Sequence, residues 1–203
     1  MMIVNLKVGK MKRQEVTIVN HYDILLFNHG GARAIKGLYG ALSRWLDINI
    51  IMFTDNEYIQ DRIQISDHII VFPLMYTKTD YILCGDMNEE KHNLDKTVFV
   101  MCDYHNDADI IKRVATIAAA SFAVIAEHVY TWRIIKRACP NKHLWYRAQN
   151  VEFDYKRKVV SQELFPVRYY DELFATENEC CHEAELVLTI SAEEKNALIN
   201  CIN

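Results

Sequence analysis

At 203 residues the chain has the length of one large domain, enough to bury a substantial core. It is 51% hydrophobic and 25% charged with only three prolines and six glycines, which excludes low-complexity, linker-rich and collagen-like sequence. A net charge of −4 argues against a general nucleic-acid binder. No apolar run approaches the roughly 18 residues that cross a bilayer, and the first residues lack the apolar segment of a secretion signal. The six cysteines (Cys84, Cys102, Cys139, Cys180, Cys181 and Cys201) have neither metal-ligand spacing nor scaffold density, so a reducing cytoplasm is the expected home.

Residues 1–20 are expected to be an N-terminal extension or edge strand, with β-branched residues at 16–19. The first main strand is expected at residues 23–28 (DILLFN), meeting a Gly30-Gly31 turn and then a helix. That helix carries Ile35, Leu38, Tyr39, Leu42, Trp45 and Leu46 at three- and four-residue spacing, one apolar stripe. Strands follow at residues 48–53 and 68–74. Residues 76–96 are polar and irregular, with a short strand at 81–84. Another strand is expected at residues 97–102 (TVFVMC), and the helix after it aligns Ile110, Ile111, Val114, Ile117 and Ala118, with Asp107 near its start.

Strand 122–126, helix 129–138 stopped by Pro140, strand 143–147 and a helix over residues 167–184 complete the pattern, before a last strand at 185–190. Ser191 and Glu194 then match a capping box that opens a final helix. This alternation predicts an α/β fold: a Rossmann-like three-layer sandwich over residues 21–203, its mainly parallel sheet centred on 23–28 and covered by helices on both faces.

Candidate ligand-binding residues fall after strands, at the sheet edge where open α/β folds bind ligands. Gly30 and Gly31 would let backbone amides approach a phosphate at a helix N-terminus; the plainer alternative is a tight turn. Glu127 and His128, a carboxylate beside an imidazole, offer acid/base chemistry or simply a helix start. Arg147, Gln149, Asn150 and Glu152 offer hydrogen bonds to sugar hydroxyls or a diphosphate, against a polar loop in which Asn150 caps a helix beginning near Glu152. Asp103-Tyr104-His105 forms a polar rim or an N-cap region. Arg133, Lys136, Arg137, Lys156, Arg157, Lys158 and Arg168 form local basic clusters, which would suit anionic lipid or a pyrophosphate-linked acceptor, or be solvated helix faces. There is no G-x-G-x-x-G, Walker A, G-x-S-x-G or zinc-ligand pattern.

Taken in order, Gly30-Gly31-Ala32-Arg33, then Arg147-Ala148-Gln149-Asn150-Val151-Glu152, then Leu188-Thr189-Ile190-Ser191 with Glu193-Glu194, resemble the N-terminal domain of GT-B glycosyltransferases. The likeness is to the large retaining family four type, which includes sucrose-phosphate-synthase-like and lipopolysaccharide-building enzymes. It covers residues 23–203 and is stronger in 122–203 than in 55–100. It implies an acceptor-side half whose nucleotide-sugar donor binds mainly to a C-terminal domain outside this chain, without a metal or other cofactor. On this resemblance Gly30, Gly31 and Arg33 would face the donor phosphates. Gln149, His128 and Glu127 would be the catalytic-side residues, and Arg147, Asn150 and Glu152 would bind a glycan or glycolipid acceptor. The enzyme would be cytoplasmic, in peripheral contact with the inner membrane face, with no nucleic-acid partner. One branch of the family has histidine where this chain has Gln149, which hydrogen-bonds but does not titrate. The main competitor is a non-catalytic Rossmann-like module binding a small anion, sugar or protein; a nicotinamide-dependent oxidoreductase ranks third because its glycine motif is missing.

Overall fold

The computed structural model describes residues 13–26, 30–57, 59–76, 104–159 and 167–202. Its strands are β1 (Gln14–Asn20), β2 (Leu46–Thr54), β3 (Ile63–Ser66), β4 (Ile69–Met75), β5 (Ala123–Glu127), β6 (His143–Ala148) and β7 (Leu186–Thr189). The helices are α1 (Gly30–Leu42), α2 (Ala108–Ile117), α3 (Trp132–Ala138), α4 (Glu152–Val159), α5 (Val167–Glu183) and α6 (Ala192–Ile202), with single 3₁₀ turns at Tyr104–Asn106 and Val129–Thr131. The expected strands at 81–84 and 97–102 lie outside the described residues.

One seven-stranded sheet runs in the order β3-β4-β2-β1-β5-β6-β7. Every pairing is parallel except β3 with β4. β1 sits fourth of the seven and is buried on both faces: Val16 and Ile18 pack with α1, and Val19 with the helices opposite. A strand covered on both sides needs apolar or internally satisfied residues throughout, and here Thr17 bonds Ser121 through its hydroxyl at 2.7 Å.

This corrects two expectations. The central strand is β1 rather than the run expected at 23–28, of which residues 23–26 are not strand and 27–28 lie outside the described residues, and residues 14–20 are neither an extension nor an edge strand. The reason lies in Asp23. Its Oδ1 accepts from the backbone N–H groups of Leu25 (2.7 Å) and Leu26 (3.0 Å), and its Oδ2 accepts from the Thr54 hydroxyl (2.7 Å). An Asx-type turn of this kind draws the backbone out of a strand ladder, and Ile24–Leu26 accordingly form a turn.

Helices cover both faces. On one, α1 places Ile35 and Tyr39 over Ile18, Ile50 and Ile125. On the other, α2 (Ile110, Val114), α3 (Ile134, Ile135), α5 (Leu173, Cys180) and α6 (Leu198) share a cluster with Val19, Phe53, Val124 and Tyr146. Asp107 is the N-cap of α2, accepting from the N–H groups of Asp109 and Ile110. Ser191 caps α6 by accepting from Glu194 N at 3.1 Å.

Candidate functional site

Parallel register brings Asn20 of β1, Glu127 of β5 and Arg147 of β6 level with one another at the carboxyl ends of three adjacent strands. The chain leaving each strand adds His21 and Tyr22, then His128, then Gln149 and Asn150. Glu127, His128, Arg147, Gln149, Asn150 and Glu152 are thereby brought into one bonded cluster.

Glu127 is fully buried and accepts from three donors. Tyr39 of α1 donates to Oε2 at 2.5 Å, while the Arg147 guanidinium and the Gln149 amide (2.6 Å) share Oε1. Burial and the Glu127 charge both push the Tyr39 hydroxyl well above its ordinary value, so it stays a donor. Arg147 commits one terminal nitrogen to Glu127, and its other donors take no partner among the described residues. Tyr22 stands beside this group, its hydroxyl pushed up by burial and by Glu127.

Glu152 organises the second half. Its Oε1 accepts from His128 Nδ1 (3.1 Å) and Asn150 Nδ2 (3.1 Å), and its Oε2 from the Tyr130 hydroxyl (2.8 Å). Burial alone would raise this carboxyl. The hydrogen bond and charge of His128, then the Lys156 ammonium and Asn150, outweigh burial and hold it at about 2. An ionised carboxylate only accepts, so His128 donates to it from Nδ1, which leaves Nε2 outside that bond. Lys156 is itself buried, which lowers its value against the pull of Glu152, and its ammonium lies 5.7 Å from the centre of the Tyr130 ring. His21 packs edge-on to His128 at 4.8 Å and against Tyr130 at 4.6 Å.

His128 also has the only positive φ of a non-glycine residue among the described residues, φ 74° with ψ 156°. Side chains rarely adopt that conformation, and it costs about 1–3 kcal/mol. The backbone is pinned there from two sides: His128 N–H donates to the Arg147 carbonyl (3.1 Å), and its own carbonyl accepts from the Thr131 hydroxyl (3.4 Å).

Gly30, Gly31 and Arg33 form the first turn of α1. A Cβ at Gly30 would meet nothing within 4 Å, and no described glycine has positive φ, so packing does not demand glycine at position 30. The same helix contributes Tyr39, nearer its other end, whose hydroxyl bonds Glu127. The basic clusters are dispersed. Arg133 and Lys136 pair with Glu172, Glu179 and Glu183 of α5, and Arg137 bonds the His105 carbonyl and the Asn106 side chain. Lys156 faces the site, while Arg157 and Lys158 are exposed. Tyr104 is buried against Phe53 rather than forming a rim. No group of three or more potential metal ligands occurs among the described residues.

Sequence reasoning missed His21, Tyr22, Tyr39, Tyr130 and Glu177. A strand over EVTIVN would have placed His21 and Tyr22 just beyond its carboxyl end, which was a legible signal. Glu177 and Tyr39 lie in helices, and only tertiary packing brings them here.

No protein-family model and no curated protein sequence matches the chain. Solved structures do. The fold is similar to that of sucrose-phosphate synthase from Thermosynechococcus elongatus, with a TM-score of 0.63 at 15% identity, covering 94% of this chain and 46% of that one. It is also similar to an alpha,alpha-trehalose-phosphate synthase (UDP-forming) from Burkholderia vietnamiensis, with a TM-score of 0.51 at 10% identity, covering 94% of this chain and 43% of the other. The chain spans less than half the length of either. The likeness is one of fold: a Rossmann-like α/β domain of the kind found in GT-B glycosyltransferases.

Proposed function

We propose that this chain is the acceptor-side half of a two-domain glycosyltransferase, which moves a sugar from a nucleotide-sugar donor to a glycan or glycolipid acceptor at the carboxyl edge of β1, β5 and β6. The observation that carries this reading is His128. Its imidazole is fixed by Glu152 and its backbone is held in a costly conformation, at the ligand-bearing edge of a fold shared with two sugar-phosphate synthases. Backbone strain maintained beside a buried ion pair is what a functional site stores and a mere loop relaxes.

In this reading the residues have distinct tasks. His128 presents Nε2 to a reacting hydroxyl or to the transferred sugar. Arg147 offers its uncommitted donors to an anionic group, and Asn150 and Glu152 line the acceptor side. Glu127 has all three of its hydrogen bonds inside the protein, so it aligns Arg147 and Gln149 rather than exchanging a proton with substrate. Gln149, tied to Glu127, supplies a fixed amide where a histidine would titrate. Gly30, Gly31 and Arg33 would meet the donor phosphates at the α1 N-terminus. The Burkholderia enzyme is described as UDP-forming, which makes a uridine diphosphate sugar the first donor to try.

A second reading rests on one observation, the self-satisfaction of Glu127 and Gln149: a site that satisfies its own polar groups suits a non-catalytic module binding a sugar or small anion. Calorimetry and nucleotide release with a panel of nucleotide sugars and acceptors separate the two. The half-enzyme reading expects acceptor binding that R147M weakens at least tenfold, with weak donor binding and no turnover. Such a half-cleft cannot hold two substrates in reacting geometry, an effect worth roughly 7–11 kcal/mol when complete. Tight donor binding with steady turnover by this chain alone would overturn it, and sugar binding unchanged in R147M would remove the site from its assigned place.

A further inference from the structure

The start of α4 carries Glu152, yet it has no local cap. The residue before it is Val151, which has no side-chain oxygen, and the Asn150 amide donates to Glu152 rather than accepting from the helix. Carboxylates from elsewhere in the chain take the open amides instead. Glu194 of α6 accepts from Val151 N–H at 2.9 Å. Glu177 of α5 accepts from Glu152 N–H at 2.8 Å through Oε1 and from Phe153 N–H at 3.0 Å through Oε2, and its Oε1 also takes the Tyr146 hydroxyl at 3.3 Å. Unpartnered amides at a buried helix start are costly and set no direction for the chain entering the helix.

We propose that Glu177 is a positioning residue for this site: capping α4 from a different helix, it fixes Glu152 and, through Glu152, the His128 imidazole. The chain of contacts is continuous, from Glu177 to the Glu152 amide, and from the Glu152 carboxylate to His128 Nδ1 and the Tyr130 hydroxyl. Glu177 is 4% exposed, so no water competes for its oxygens from an open face. Its position in the middle of α5 makes its placement depend on the packing of that whole helix.

The cap also answers to pH. Burial raises the Glu177 carboxyl to about 7, against the pull of the Phe153 and Glu152 amides and with a further push from the Glu152 charge. The titratable groups facing it are Glu152 on α4, Tyr146 on β6 and Cys180 on its own helix. Burial holds the Tyr146 hydroxyl and the Cys180 thiol well above their ordinary values, so both stay neutral as Glu177 titrates. A protonated Glu177 turns one oxygen into a hydroxyl and loses an acceptor for one of the two amides. Glu177 therefore holds the α4 start through two amides above neutrality and through one below it, beside the Glu194 contact to Val151.

The role of the imidazole rests on the function proposed above, but the test uses no sugar or nucleotide, so each can fail without the other. Backbone amide and His128 Cε1–H resonances of the chain are followed by NMR from pH 5.5 to 8.5. The Glu152 and Phe153 amides are expected to shift together with one midpoint near 7. In E177Q that midpoint disappears, and the His128 signal moves from its wild-type position at every pH while the melt stays cooperative. An unmoved His128 signal in a cooperatively folding E177Q overturns the proposal. If E177Q does not fold, E177D, which keeps the carboxylate on a shorter arm, decides in its place: displaced Glu152 and Phe153 amides with a displaced His128 signal uphold the proposal, and displaced amides with an unmoved His128 signal overturn it.

Discussion

Arg147 and Glu127 form an ion pair with almost no exposure, their side chains 8% and 0% accessible, at the ends of neighbouring strands β6 and β5. Such a pair contributes little net stability, because both charges are desolvated, yet removing one partner strands the other. R147M is therefore expected to cost about 3–5 kcal/mol by urea denaturation. The Tyr39 and Gln149 donors would still reach Glu127 but would not neutralise it. E127Q combined with R147M should cost clearly less than the two single changes summed, a coupling that a double-mutant cycle reads directly. A loss below about 1 kcal/mol for R147M alone would mean that the guanidinium reaches bulk water, as exposed pairs do.

Glycine and alanine should exchange their usual order at position 128. In a helix or strand interior, glycine is the less stable by roughly 0.5–1 kcal/mol. At φ 74° and ψ 156° a Cβ is strained and its absence is not. H128G is expected to be more stable than H128A by about 1 kcal/mol or more, with both below the wild type through loss of the ring packing on His21 and Tyr130. The comparison is made by chemical denaturation. H128A equal to or above H128G would show that the backbone is relaxed there.

The alternation of apolar strands and amphipathic helices was legible, because a parallel sheet covered on both faces imposes it on each strand separately. Asp107 and Ser191 were legible as caps because capping is local. β1 was misread because two β-rich runs lie within fifteen residues, and the choice between them rests on where the Asp23 side chain turns. The residues after β5 and β6 fell correctly at one edge, since position along a strand is enough to assign an edge. The geometry of His128 and the cap from Glu177 had no sequence signal: one is a backbone angle forced by neighbours, the other a contact between residues 25 apart in two helices.

The Asp23 turn gives a sharp test of that misreading. In a strand, Asp23→Val would add β-propensity and be neutral or stabilising. In the turn, the substitution removes acceptors from Leu25 N–H, Leu26 N–H and the fully buried Thr54 hydroxyl. A loss of about 1–3 kcal/mol is expected for D23V. D23N, which keeps one oxygen, should lose less. A melting temperature raised in D23V would restore residues 23–26 to a strand.

The Glu152 carboxyl predicts how the protein meets acid. Its value in the folded chain, about 2, lies below the 4.5 of an ordinary glutamate. The unfolded chain therefore binds a proton first as pH falls. The stabilisation is fully present above 4.5 and is lost progressively as pH drops through the folded value near 2. The whole effect is roughly 3 kcal/mol, of which about 2 should appear by pH 3. Glu177 contributes with the opposite sign: its raised value favours the folded state at low pH and withdraws that support as pH rises through about 7. The absolute slope of stability against pH therefore mixes the two. E152Q removes the group with the depressed value and leaves Glu177 in place, although Glu177 then loses the smaller upward push of the Glu152 charge and burial remains its main cause. Unfolding free energies by urea at pH 6 and pH 3 are expected to fall by about 2 kcal/mol more in the wild type than in E152Q. E152Q should also be the less stable protein at pH 6, because His128 loses its anionic partner and the buried Lys156 its nearest opposite charge. Equal acid sensitivity in the two proteins would show that Glu152 gains nothing from His128 in the folded chain, and would remove the electrostatic basis for fixing the imidazole.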